Sequence, residues 1–253
     1  MMLKGLLVAL QFITRIPVKK DLHITDRDLA NSAVFFPIIG LFIGGIQVLI
    51  FFTSDLVFPS SVTAFFLLIA PIILTGAFHL EGLSDMADGF LGGKNREDIL
   101  RIMRDSHVGT MGMIAVVSLM LAKLIFLYEI LQIPNSHLTA GALLLIPVLS
   151  RWGMVIAAGV SRYARDDFGL GRAYTEGVGK KIIVLSSIVP VIASAAYFRI
   201  IGGFCIIITI ASALLVSWIA KRKISGVTGD VLGGINEITE AILFLSMILF
   251  SNR

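Results

Sequence analysis

The sequence has few charged residues for its length. Only 15% of its 253 residues are Asp, Glu, Lys or Arg, whereas 57% are hydrophobic, and the mean hydropathy is +0.92. This balance excludes an ordinary water-soluble globular protein and predicts an integral membrane protein. Because most of the chain is needed for spans, a single membrane domain over residues 1–253 is the natural organisation.

The sequence also lacks cysteine pairs, a cleavage site and repeats. Its one cysteine, Cys205, lies in an apolar run, which excludes a disulfide framework and a CxxC metal site. No small-residue cleavage site follows the short apolar stretch in 1–20, so we expect an N-terminal interfacial helix and not a secretory signal. The basic residues behind the net charge of +4 are spread among loops, and no nucleic-acid partner is expected.

Seven apolar segments are long enough to cross a bilayer, whose hydrocarbon core of about 30 Å requires about 20 helical residues. These segments are 34–52, 62–78, 111–131, 138–160, 182–198, 200–220 and 231–250. The predicted fold is therefore all-α, a polytopic membrane helical bundle of about seven spans with an N-terminal interfacial helix.

Lysine and arginine concentrate in every second loop. The N-terminal segment contains Lys4, Arg15, Lys19, Lys20 and Arg27, whereas loops 53–61 and 132–137 contain no Lys or Arg. Cytoplasmic loops carry the excess of these residues, so a cytoplasmic N-terminus in the cell (inner) membrane is predicted. Polar, glycine-rich segments at four span ends then share the cytoplasmic face, which indicates one site there.

An acidic stretch follows the second apolar segment. Glu81, Asp85 and Asp88 have the spacing i, i+4, i+7, which puts them on one face of a helix. Carboxylates beside hydrocarbon are usually paired or bound to a cation. Oxygen-only ligands suit Mg²⁺, Mn²⁺ or Ca²⁺ and not zinc. The alternative is a solvated helix end whose acids have no joint role.

A second acidic stretch begins the last span. Asp230 and Glu237 share a helix face two turns apart, and Glu240 lies one turn deeper. An ionised side chain at that depth needs a partner. Two helices that present acids from one membrane side describe a site for one or two metal ions between the spans.

Basic and histidine side chains lie between these stretches. Arg101 and Arg104 are three residues apart on a helix predicted to begin near Arg96, where they either bind phosphate or lie on an ordinary surface helix. Asp105 follows, and His107 is either a general base or a hydrogen-bonded polar residue at the start of a span.

Several motifs occur in a fixed order along nearly the whole chain. They are FITRIP at 12–17, FPIIG at 36–40, HLEGLSDMADG at 79–89, IMRDSHVG at 102–109, RYAR at 162–165 with GLG at 169–171, and TGDVLG at 228–233 with Glu237 and Glu240. Together they resemble the cobalamin synthase family, the adenosylcobinamide-GDP ribazoletransferases. Glu81 and Ser84 depart from that pattern, where Asp and Ala are frequent.

The resemblance implies an Mg²⁺-dependent transferase of late cobalamin biosynthesis. α-Ribazole or its 5′-phosphate would attack the β-phosphorus of adenosylcobinamide-GDP and release GMP, giving adenosylcobalamin or its 5′-phosphate. The implied metal ligands are Glu81, Asp85, Asp88, Asp230 and Glu237. The implied substrate-binding residues are Arg101, Arg104, Arg162, Arg165 and Thr228. The implied catalytic residues are Asp105 and His107.

Two other functions compete with this interpretation. A CDP-alcohol phosphotransferase of phospholipid synthesis also places acids on membrane helices around metals, but its Asp-Gly is followed two residues later by Ala-Arg, whereas Phe-Leu-Gly-Gly follows Asp88-Gly89 here. A cation-coupled transporter favours ionisable groups near the midplane, whereas the acids here crowd one face. The lipid bilayer is an expected partner, and a homo-oligomer remains open.

Overall fold

The computed structural model describes residues 2–18, 22–166 and 169–251, and most of these residues are helical. Lys19 and Lys20 of the basic N-terminal segment lie outside the described residues. The helices are α1 (Met2–Ile13), α2 (Asp26–Ser32), α3 (Phe36–Ser54), α4 (Ser60–Thr75), α5 (Phe78–Gly92), α6 (Arg96–Ile102), α7 (Thr110–Leu131), α8 (Ser136–Val160), α9 (Leu170–Gly177), α10 (Lys180–Ile224) and α11 (Gly229–Ser251).

Within these residues, six helical stretches are long and apolar enough to cross a membrane, or seven if the bent pair α4 and α5 counts as one span. The six are Asp26–Ser54, Thr110–Leu131, Ser136–Val160, Lys180–Tyr197, Ile200–Ile224 and Gly229–Phe250. The short apolar helix α1 precedes them. The prediction of an all-α, polytopic bundle with an N-terminal apolar helix is confirmed.

Helices α8 and α11 form the interior of the bundle. Their spans are 83% and 78% buried, whereas only 17% of α7 is buried. Helix α3 packs closely on α8, because a Cβ at Gly44 would lie 2.6 Å from the carbonyl oxygen of Leu144 and a Cβ at Gly40 would meet the backbone of Pro147. Such small-residue contacts are how helix backbones approach in a membrane.

Helix α10 folds back on itself. A Cβ at Gly202 would meet the backbone of Ser194, eight residues earlier, whereas eight residues of a straight helix rise about 12 Å. The two spans within α10, Lys180–Tyr197 and Ile200–Ile224, therefore form a hairpin, which agrees with the two predicted segments 182–198 and 200–220.

The second apolar segment ends earlier than expected. Helix α4 ends at Thr75, and Gly76 and Ala77 both have left-handed backbones, with φ of 63° and 61°. Helix α5 then starts at an angle of 88° to α4. The backbone N–H of Arg15 donates to the carbonyl of Leu74 at 2.7 Å, which fixes the end of α1 against the bend. The acidic stretch thus occupies a separate helix and not the end of span 62–78.

We expect Gly76→Ala to destabilise the protein by about 1–2 kcal/mol, because a left-handed conformation is unfavourable for residues with a Cβ. The added methyl would also collide with the side chain of Arg15. Gly45→Ala is the matched control, because no atom lies within 4 Å of a Cβ there. Melting temperatures of the purified proteins in detergent measure the difference, and equal values for the two variants would contradict the assignment of strain to this bend.

Candidate active site

The two acidic helices α5 and α11 are in direct contact. A Cβ at Gly82 would lie 2.8 Å from the backbone oxygen of Asp230, and a Cβ at Gly233 would lie 3.2 Å from the Cα of His79. Glycine at both positions therefore allows near-backbone contact between the helices. This contact brings acids that are about 150 residues apart in sequence to one place.

Four carboxylates form what we call the acidic cluster, consisting of Glu81, Asp85, Asp88 and Asp230. The negative charges of the other three all act on Asp85, and the positive charge of Arg165 opposes them. Glu81 is exposed and Asp85 is half-buried. In the described parts of the chain, neither of these two side chains has a hydrogen bond or an ion pair. The cluster therefore carries uncompensated negative charge.

Asp88 already has partners from the backbone. Its two carboxylate oxygens each accept a hydrogen bond of 2.8 Å, one from the N–H of Gly109 and one from the N–H of Gly112. These N–H groups belong to the first turn of α7, where an anion is favoured by the helix dipole. A Cβ at either glycine would collide with the carboxylate. Asp88 thus caps α7 from the neighbouring helix.

Asp230 is paired with an arginine. Arg165 donates to Asp230 Oδ2 at 3.0 Å, and the hydroxyl of Thr228 donates to the same oxygen at 3.1 Å. Thr228 is fully buried, and its hydroxyl also accepts from the N–H of Val231. Thr228 therefore lies behind Asp230 and supports it, and its predicted contact with substrate remains a prediction.

The donor atoms of the acidic cluster suit a hard divalent cation, because all of them are carboxylate oxygens. The carboxylates of Glu81 and Asp85 have no partner among the described residues, and the repulsion on Asp85 would be relieved by a positive ion. Within the described ranges, however, no three His, Cys, Asp or Glu groups converge into a ready-made metal site. The carboxylates are the right type of ligand for such an ion, but their side chains would have to reorient to coordinate it.

The structure places Glu237 apart from the acidic cluster. Its carboxylate accepts a hydrogen bond of 2.6 Å from Lys123, which also donates to Glu240 at 2.7 Å. Glu240 is further paired with Arg151. We call Lys123, Arg151, Glu237 and Glu240 the buried ion network. All four are buried, and two cations balance two anions, which is the condition for keeping charges out of water.

Sequence reasoning did not find this network. Lys123 and Glu240 received no role, and Arg151 lies unremarked inside the apolar segment 138–160. Arg151 could have predicted the network from the sequence alone, because a charged residue within a span needs a partner of opposite sign at similar depth. Glu240, one turn beyond Glu237, meets that requirement.

Arginines line a pocket of about 400 Å³ beside α6. Its basic residues are Arg96, Arg101, Arg104 and Arg165. We call it the arginine pocket. Arg165 also contacts Asp230, so the pocket borders the acidic cluster. The sequence predicts only that a helix begins near Arg96. In the structure its guanidinium also donates to the carbonyl of Ala164 at 2.6 Å, which holds the loop after α8 against α6.

Arg162 is not part of the arginine pocket. It lines a different pocket with Lys221 and Trp218. The segment is held in place by hydrogen bonds between its backbone and that of Val227, with the N–H of Val227 donating to the carbonyl of Arg162 at 2.8 Å. Its predicted contact with a substrate phosphate stays a prediction, and the geometry separates it from Arg165.

Asp105 and His107 form a pair in the loop between α6 and α7. The Nδ1 atom of His107 lies 2.7 Å from Asp105 Oδ1, and the backbone N–H of His107 donates to the same oxygen at 3.0 Å. These hydrogen bonds hold the pKa of Asp105 below its ordinary value, so Asp105 is ionised at neutral pH and is a weak base. The pair lines a pocket of about 340 Å³ that also includes Asp88.

We expect Glu237→Gln to destabilise the protein by about 3–5 kcal/mol, because it leaves Lys123 buried with too little negative charge. Asp85→Asn should not destabilise, because it removes repulsion in the acidic cluster. Thermal unfolding in detergent measures both. Lys123→Met combined with Glu237→Gln is the charge-balanced control and should recover part of the loss. A Glu237→Gln variant as stable as the parent would show that the pair contributes nothing.

The family model described as Cobalamin-5-phosphate synthase matches residues 5–248. No solved structure matches the chain. The chain is 36% identical to the adenosylcobinamide-GDP ribazoletransferase of Acetivibrio thermocellus over 98% of both chains.

Two further relatives carry the same name. That of Chlorobaculum tepidum is 36% identical over 98% of this chain and 96% of its own, and that of Caldanaerobacter subterraneus subsp. tengcongensis is 34% identical over 96% and 97%. These matches extend over nearly the whole chain and confirm the resemblance carried by the sequence motifs. The chain belongs to the Cobalamin-5-phosphate synthase family.

Proposed function

We propose that this protein is an adenosylcobinamide-GDP ribazoletransferase of late cobalamin biosynthesis. It joins α-ribazole or α-ribazole 5′-phosphate to adenosylcobinamide-GDP and releases GMP. The observation that carries this proposal is the contact between Arg165 and Asp230, which connects a cationic pocket to an anionic cluster. The names of the relatives support the substrate class.

The reaction is a displacement at a diphosphate. A hydroxyl oxygen of the ribazole forms a bond to the phosphorus that carries the cobinamide. The bond from this phosphorus to the oxygen of GMP breaks, and GMP leaves with the electron pair. The hydroxyl proton passes to a base. Catalysis of such a step depends on holding the reactants in line and on stabilising the negative charge of the phosphate oxygens.

The arginine pocket is suited to the diphosphate. Guanidinium groups bind phosphate oxygens through paired N–H donors, and Arg101, Arg104 and Arg165 all line the pocket. Arg165 is held by its ion pair with Asp230. Its fixed position would orient the diphosphate so that the reacting phosphorus lies at the acidic cluster.

Mg²⁺ is the proposed cofactor. Glu81, Asp85 and Asp230 would hold it once their side chains turn toward it, because α5 and α11 are in contact and the charges of Glu81 and Asp230 both act on Asp85. When bound, the ion would neutralise phosphate oxygens and the leaving group. Asp88 is engaged by α7 and would position the cluster, and Glu237 is engaged by Lys123.

His107 is the proposed general base. A neutral imidazole can accept the hydroxyl proton through one ring nitrogen while the other is held by a carboxylate. Asp105 is placed to do this, at 2.7 Å from Nδ1. An ionised Asp105 would also stabilise the imidazolium that forms.

The competing functions are not favoured. The family match and the full-length relatives do not support a CDP-alcohol phosphotransferase. A transporter would need free ionisable groups within the spans, whereas Glu237 and Glu240 are both neutralised by ion pairs. We further propose a cell-membrane location with a cytoplasmic N-terminus, which gives the site access to soluble substrates.

The proposal is tested with purified protein, adenosylcobinamide-GDP, α-ribazole 5′-phosphate and Mg²⁺, with GMP and the cobalamin product measured. Asp85→Asn and Asp230→Asn should each abolish turnover, because both carboxylates are needed for the metal. Mg²⁺ should raise the melting temperature of the parent protein and not that of either variant.

Asp55→Asn is the matched control, because Asp55 lies in the loop between α3 and α4, away from the acidic cluster. It should retain both turnover and the Mg²⁺ shift. Absence of GMP release from a folded parent protein would refute the proposed function. Full activity of Asp85→Asn would refute the metal site alone.

We expect His107→Gln to lower kcat by about 10²–10⁴-fold, the usual contribution of a general base, while substrate binding stays close to that of the parent. The measurement is kcat and KM under saturating Mg²⁺. His137→Gln, on the far end of the α7–α8 hairpin, is the control. A change confined to KM would assign His107 to binding and not to proton transfer.

A further inference from the structure

A second basic pocket lies away from the acidic cluster, where α8 and α10 end side by side. It has a volume of about 570 Å³, and its lining includes Val160, Arg162, Leu214, Ser217, Trp218 and Lys221. We call it the α8–α10 pocket. The segments that follow the two helices are joined by the Tyr163–Val227 bridge, so the pocket is a built feature of the fold.

The charge of this pocket is positive and unbalanced. In the described ranges, Arg162 and Lys221 form no ion pair, and no acidic residue is among those that line the pocket. Arg222 adds a third cation nearby, with its guanidinium 4.7 Å from the centre of the Trp218 ring. The complementary ligand is therefore an anion.

The pocket also has an unpaired hydroxyl. The Oγ atom of Ser217 is buried and has no hydrogen-bond partner among the described residues, and Ser217 as a whole is only 6% exposed. A buried polar atom without a partner is unfavourable and is usually satisfied by a ligand or water. Ser217 lies on the same pocket lining as the two cations.

The position of the pocket indicates an amphiphilic ligand. It lies at the end of the spans Ser136–Val160 and Ile200–Ile224, and its apolar side chains Leu214 and Trp218 are 44% and 53% exposed. Tryptophan is typical of the membrane–water interface. Basic pockets between spans at that level bind anionic lipid headgroups.

We propose that the α8–α10 pocket binds the headgroup phosphate of an anionic phospholipid. Arg162 and Lys221 contact the phosphate, the hydroxyl of Ser217 donates to one of its oxygens, and the acyl chains pack along Leu214 and Trp218. Arg162 then binds the membrane lipid, whereas Arg165 of the same segment contacts the acidic cluster. The lipid would fix the ends of α8 and α10. The segment that contains Arg165 directly follows the end of α8.

The test uses the full chain reconstituted with phosphatidylcholine and a defined fraction of phosphatidylglycerol, with retained lipid counted by native mass spectrometry. Lys221→Gln should weaken phosphatidylglycerol retention about fivefold, the effect of one basic residue at a membrane surface. Lys180→Gln removes the same charge from the start of α10, outside the pocket, and should retain lipid as the parent does. Equal retention by Lys221→Gln and the parent would overturn the proposal.

A second arm separates lipid from soluble phosphate. Phosphatidylglycerol should raise the melting temperature of the parent protein, whereas inorganic phosphate at the same concentration should not. In bilayers of phosphatidylcholine alone, Lys221→Gln should have the parent's KM for α-ribazole 5′-phosphate. Stabilisation by inorganic phosphate, or a raised KM in that bilayer, would overturn the proposal and assign the pocket to a soluble phosphate. Lipid retention and the melting temperature do not depend on turnover, so they test the pocket even if the proposed function fails.

Discussion

The contact between α5 and α11 is the constraint on which the rest of the site depends. Glycines at positions 82 and 233 let the two backbones approach so closely that an added methyl group would collide at 82 and be tightly packed at 233. This proximity forces like charges together, because each helix presents its acids near the line of contact. The repulsion is acceptable only because other parts of the fold hold the helices in place, and because Arg165 contributes one positive charge.

The buried ion network supplies part of that support. Lys123 of α7 and Arg151 of α8 both bind carboxylates of α11, so three helices are joined around a neutral set of charges. An ion pair in the interior adds little net stability over apolar packing, but it strongly disfavours arrangements in which a charge is left alone. It therefore defines the position of α11 along its axis, and with it the height of Asp230, two turns above Glu237.

Two motifs of the sequence divide their residues between different surfaces. Arg162 and Arg165 belong to one short motif, yet one lines the α8–α10 pocket and the other contacts Asp230. The chain bends at Ala164, directly after the Tyr163–Val227 bridge, so the two arginines leave the segment in different directions. In the same way, Asp230 and Glu237 share a helix but meet different partners, because the surroundings change over two turns.

The sequence by itself determined the spans and the acidic faces, since hydropathy and helical spacing are local properties. The spacing i, i+4, i+7 alone places Glu81, Asp85 and Asp88 on one face of a helix. Only the tertiary structure decided that Gly76 starts a sharp bend, since an apolar run continues across it in sequence, and that Lys123 neutralises Glu237. Both depend on contacts between residues far apart in the chain, Arg15 in one case and α7 in the other, and no local pattern encodes such contacts.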